Sequence, residues 1–188
     1  MINKILPLAL LLTSFSNISV QAQINPSPVN QDSRVPWSEV VEDPFDGNIV
    51  YDKDFGSNHA TVSSWTRNDI RLSYFQREQE IVSYRNVRRT RRVWRKDRYV
   101  EEVYWDTEPV YRSYWVSNSP EQILFAIDGV VYRYDGGSVP DELASALAHA
   151  PEGNMRIRLV WQNQRTQDVM IGGGTVKAWK TIFGTPTN

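Results

Sequence analysis

The stretch RRTRRVWRKDRYVEEVYWDTE, residues 88–108, decides how this chain folds. Its first half is basic, and its second half is acidic and aromatic. Read as a helix, residues 78–105 scatter Ile81, Tyr84, Val87, Trp94, Val100 and Trp105 around the whole circumference, which is a poor amphipathic pattern. Read as two strands folded at Lys96-Asp97, the stretch brings residues face to face whenever their numbers sum to 193. Trp94 then meets Tyr99, Val93 meets Val100, Arg92 meets Glu101, and Arg91 meets Glu102. Further out, Arg89 meets Tyr104, Arg88 meets Trp105, and Arg85 meets Glu108. Each such pair contributes roughly 0.2–1 kcal/mol, and an arginine over an aromatic ring adds a cation–π attraction of similar size. A register of 195 sets Trp94 against Glu101 and loses most of these matches.

Lys96-Asp97 is an unusual pair for a two-residue turn, so a four-residue turn in the same register serves equally. A further bend at Asp106-Thr107-Glu108-Pro109 is expected to lay residues 110–116 alongside as a third strand. Neither face of the hairpin is purely apolar, so it is expected to project or to lie at an edge. Its arginines have two readings. In one they pair with the acidic strand and keep an edge from aggregating. In the other, Arg95, Lys96 and Arg98 at the tip, with Arg89 nearby, form a polyanion-binding site.

Outward from the hairpin, charge comes in blocks. Residues 23–60 sum to −5, residues 61–100 to +7, residues 101–150 to −7 and residues 151–188 to +3. Strand signals dominate residues 60–65 and 70–75. Residues 123–127 and 130–134 flank Asp128-Gly129, a pair suited to a type I′ hairpin turn. Met155, Ile157, Leu159 and Trp161 alternate with Arg156 and Arg158, the period of a half-buried strand. Residues 176–183 read as a closing strand, and Gly172-Gly173-Gly174 before them as a bulge or hinge. One helix is expected over residues 140–149, with Ser138 and Asp141 in a capping arrangement and Pro151 as the stop. The fold class is therefore mainly β: a single antiparallel domain, sandwich or open barrel, with one short packed helix and a long charged hairpin.

At the N-terminus, Lys4, the apolar run at residues 5–15 and Val20-Gln21-Ala22 have the form of a secretory signal peptide, cleaved near Ala22. The run is too short to span a bilayer as a helix. Export to the periplasm or the medium is the expectation, with no transmembrane helix in the mature chain. Residues 23–58, rich in Pro, Asn and Asp, read as a flexible leader pinned by Trp37, and residues 59–188 as the β-rich domain.

The sequence has no cysteine, which removes disulfides, thiolate nucleophiles and thiolate metal sites. Asp43, Asp46, Asp52 and Asp54 suit calcium in composition but match no complete calcium loop. His59 and His149 are the only histidines, and no G-x-S-x-G elbow accompanies them. Glu101, Glu102, Asp106 and Glu108 lie among aromatics, as in a sugar-hydrolysing groove. An arginine partner favours the ionised carboxylate, however, which is the wrong form for a general acid. The expectation is a non-enzymatic binding or structural module without metal or cofactor. Its expected partner is an anionic polysaccharide, a lipid head group or an envelope protein, and nucleic acid is not expected outside the cytoplasm. The alternatives are a carbohydrate-active enzyme and a structural component of an envelope assembly.

Overall fold

The computed structural model describes residues 23–184, and the segment 1–22, read from the sequence as a signal peptide, lies outside the described residues. Two antiparallel sheets carry the fold. The first holds, in order, β1 (Val40–Asp43), β2 (Gly47–Phe55), β3 (His59–Thr66), β4 (Ile70–Arg95) and β5 (Arg98–Asn118). The second holds β6 (Gln122–Ile127), β7 (Val130–Tyr134), β8 (Met155–Val160) and β9 (Thr166–Ile171), in the spatial order β7-β6-β8-β9. Two helices, α1 (Asp141–Ala148) and α2 (Gly173–Phe183), complete the elements.

The sheets and helices share one core. Trp65 on β3 is fully buried, with its ring 4.8 Å from Trp179 of α2 and 6.0 Å from Phe125 of β6. Its indole N–H donates to the Ser63 hydroxyl at 2.8 Å, so the buried donor is satisfied. The Tyr134 hydroxyl accepts from the Ile70 N–H at 3.2 Å and donates to the Gly137 carbonyl at 2.7 Å, tying β7 to the start of β4. Asp128 and Gly129 take φ of 51° and 79°, the turn that joins β6 to β7 with Ile127 opposite Val130. On β8 the alternation holds: Ile157 and Leu159 are buried, while Arg158 forks onto Asp168 of β9 at 2.6 and 3.0 Å.

Four features differ from the sequence reading. Residues 176–183 belong to α2, a second helix rather than a closing strand. Its buried residues Thr175, Val176, Ala178, Trp179, Ile182 and Phe183 recur at helical spacing. Gly172-Gly173-Gly174 is the entry to that helix and not a bulge. A Cβ on Gly174 would come within 2.8 Å of the Ser38 Cβ, so the glycine permits close approach of the N-terminal segment.

Residues 40–55, read as part of a flexible leader, form β1 and β2. Even Ile24 is buried, and the Leu72 N–H donates to the Asn25 carbonyl at 2.9 Å. Apolar anchors spaced along a polar segment suffice to hold it once a sheet edge is present to pair with. Trp37 bridges to Tyr51, with the Lys53 ammonium 4.4 Å from its ring. The helix expected at 140–149 is observed as α1, but with Pro140 at its N-cap and no side-chain cap hydrogen bond.

The fourth difference concerns the hairpin. There is no bend at residues 106–109, and β5 runs unbroken from Arg98 to Asn118. Pro109 sits within it opposite Tyr84, tolerated because β5 is an edge strand whose ladder has only one side.

Candidate functional site: a projecting two-stranded ribbon

β3 pairs with β4 only as far as His59 opposite Gln76. Beyond that point β4 and β5 pair with each other alone, out to Arg95 opposite Arg98. Eighteen residues on β4, from Glu78 to Arg95, thus form a bare ribbon about 60 Å long at roughly 3.3 Å per residue. Val82 is an extra residue between Ile81 and Ser83, a β-bulge that shifts the register. From Ser83 opposite Val110 to the tip, every pair sums to 193. Lys96 and Asp97 make a two-residue turn with φ of 50° and 63°, both left-handed, as a type I′ turn requires.

Side chains of directly opposed residues share a face, so the register sorts the ribbon into two. One face carries Arg85, Arg89, Arg91 and Arg95 against Glu102, Tyr104, Asp106 and Glu108. Arg91 and Arg95 both reach Glu102, at 2.9 and 3.1 Å. Arg89 bridges Asp106 at 3.1 Å and also bonds Glu108, which Arg85 holds at 3.3 Å. The Arg91 guanidinium lies 5.2 Å from the Tyr104 ring. Single exposed ion pairs contribute at most about 1 kcal/mol, and here they form a shared network.

The opposite face is different. Trp94 packs edge-on against Tyr99 with ring centroids 4.7 Å apart, and Trp105 stands opposite Arg88. Tyr84, Trp94, Tyr99 and Trp105 are 57–69% exposed. Arg92 is only loosely paired, 3.8 Å from Glu101, and Arg88 has no ion-pair partner among the described residues. The rings form an exposed aromatic stripe along one face of the ribbon.

The four residues read as a polyanion site therefore divide. Arg89 and Arg95 are held in the ion-pair network, while Lys96 and Arg98 have no acidic partner among the described residues. Arg95, Lys96, Arg98 and Val100 line a shallow depression at the tip. The aromatic face, with Arg88, was not singled out from the sequence. Its signal was present in the parity of Trp94, Tyr99 and Trp105 once the register was fixed.

A second concavity, of about 1060 Å³, lies at the foot of the ribbon. His59 stacks on Tyr74 at 5.4 Å, and Tyr74 meets Trp161 edge-on at 5.2 Å. Gln76, Asn118 and Asn163 contribute to its polar wall, and no carboxylate lines it among the described residues. Glu101, Glu102, Asp106 and Glu108 all sit on the ribbon, each with an arginine partner. His149 accompanies the end of α1, with its ring nitrogen 2.8 Å from the Ser145 carbonyl.

The four aspartates near the N-terminus do not converge. Asp43 closes a turn by accepting from the Asp46 and Phe45 N–H groups, which hold its carboxyl below the ordinary range. Asp54 accepts from the Met170 N–H at 3.2 Å. Asp52 is buried at the entry of α2, where it accepts from the Thr175 hydroxyl at 2.7 Å and the Gly172 N–H at 3.3 Å. Burial pushes its pKa up to about 6, partly offset by those donors and reinforced by the charge of Asp54.

Comparison of the chain with protein-family models, curated proteins and solved structures returns no match.

Proposed function

We propose that this protein is an exported, non-enzymatic binding module that holds a linear anionic polysaccharide along the aromatic face of its ribbon. The sorting of the two faces supports the reading most directly. Ion pairing is concentrated on one face, and the exposed rings of Trp94, Tyr99 and Trp105 stand on the other beside Arg88. Aromatic rings stack on the C–H faces of sugars, and a guanidinium forks onto a carboxylate or sulfate. Lys96 and Arg98 add positive charge at the tip, Arg98 on the face opposite the rings. The ribbon's length suits a polymer rather than a small molecule.

The test is retention of the purified protein on immobilised polygalacturonate through a salt gradient. Binding weakens with salt as charge contacts are screened. An Arg88/Lys96/Arg98→Ala variant should flatten that dependence. A Trp105→Ala variant should weaken binding while leaving the salt slope in place. Retention indifferent to both variants, or none at low salt, would overturn the reading.

A further inference from the structure

We propose that the ribbon also joins copies of this chain head to tail, with the outer edge of β4 in one copy pairing antiparallel with the outer edge of β5 in the next. Three observations carry this. Beyond Arg77, whose N–H still reaches the Asn58 carbonyl, both strands lack an outer neighbour among the described residues, so each presents a row of unpaired N–H and C=O groups. A bare two-stranded ribbon is marginal in water, and long free edges are templates for further pairing. This one is about 60 Å long, far beyond the usual strand.

Charge then selects the partner edge. Residues 84–95 hold six arginines and no acid, and residues 99–110 hold four acids and no base. Placing β4 against a second β4 opposes arginine with arginine, and β5 against β5 opposes carboxylate with carboxylate. Only β4 against β5 repeats the basic-to-acidic matching already present inside the hairpin. The two strands run in opposite directions, so a neighbour facing the same way continues the antiparallel order. Pro109 has no N–H and sets the inner limit of this pairing, which runs from there to the tip.

Because the two contacting edges are different, the contact is heterologous. It does not stop at a dimer, but continues to a closed ring or an open filament. The aromatic faces of successive ribbons would form one continuous surface. Polysaccharide lies on a face and the neighbouring copy on the edges, so this inference stands independently of the binding reading.

The absence of native cysteine supplies the experiment. Single-cysteine forms of the full chain are made, with Thr90→Cys on β4 and Val103→Cys, Trp105→Cys or Thr107→Cys on β5. All are checked for native circular dichroism and oxidised without polysaccharide. Thr90→Cys mixed with the β5 panel should give disulfide-linked heterodimers at some positions. Each form oxidised alone should give at least about fivefold less. Sedimentation of the unmodified chain should show species larger than a dimer that dissociate about tenfold more readily in 1 M salt than in 0.05 M salt. Dominant Thr90→Cys homodimers would overturn the head-to-tail arrangement. A monomer at all concentrations, with no cross-links, would overturn self-association itself.

Discussion

Replacing Asp52 with asparagine should stabilise this protein at neutral pH and not at pH 4. The carboxyl is 2% exposed, and its pKa rises from the ordinary 3.8 to about 6. An acid raised in the folded state binds its proton more tightly there than in the unfolded chain. Stability therefore falls as pH rises through the window from about 4 to about 6, and the full cost of the buried charge stands above it. Two units at about 1.4 kcal/mol each make that cost ~3 kcal/mol. Asparagine keeps an oxygen for the Thr175 hydroxyl and the Gly172 N–H, and removes the charge. Urea unfolding followed by tryptophan fluorescence reads the difference, since Trp65 and Trp179 are buried in the core. The stability difference between Asp52→Asn and the unmodified protein should grow from a pH-independent baseline below pH 4 to ~3 kcal/mol above it near pH 7. Taking the difference cancels the exposed carboxylates Asp43, Glu152 and Asp168, whose lowered pKa values act in the opposite sense. A difference that is flat between pH 4 and 7, or that shrinks as pH rises, would refute the reasoning.

Trp65→Ala should lower stability by about 3–5 kcal/mol in the same urea assay, because it removes the ring that packs against both Trp179 and Phe125. Arg89→Ala should move the global unfolding midpoint by less than about 1 kcal/mol. It should nevertheless speed hydrogen exchange across the outer ribbon, where Arg89 links Asp106 to Glu108. Replacing Lys96-Asp97 with Asn-Gly should slow exchange at the ribbon tip severalfold, since both positions sit at positive φ. Unchanged exchange would mean the turn chemistry does not limit the ribbon. Gly174→Ala should destabilise by about 1–3 kcal/mol by thermal melting, through the close approach of Ser38.

The hairpin register was legible because the information that sets it is local. Trp94 with Tyr99, Arg91 with Glu102 and Arg85 with Glu108 all agree on one sum, and the competing register loses them together. The second hairpin was legible for a similar reason, since Asp128-Gly129 supplies its turn directly. Helix α2 was not legible. Val176, Trp179, Thr181, Ile182 and Phe183 favour strands, and the helix entry takes its acceptor from Asp52, 120 residues earlier in the chain. Likewise β1 and β2 are held by long-range partners. Val50 faces Trp65 across the sheet, and the polar composition around it hides this. Pro109 suggested a bend because proline cannot serve a ladder on both sides, and β5 has a ladder on only one. For the candidate site, the paired arginines followed from the register. The aromatic face required knowing that no other described strand covers the ribbon, which only the sheet order reveals.

The spread of contact distances along the chain also orders events in time. The ribbon can zip outward-in from Lys96-Asp97 through neighbours a few residues apart, on a scale of about 1–10 μs. The seam between β2 and α2 cannot form so early, because Asp52 and Thr175 stand 123 positions apart and the whole domain must be gathered first. A chain emerging from synthesis would therefore display its hairpin before its body had closed. During that interval like charges would disfavour β4–β4 and β5–β5 encounters between neighbouring molecules and leave β4-to-β5 pairing as the favoured contact. The segregation of charge by strand would thus select which edges meet first, before any long-range contact has formed.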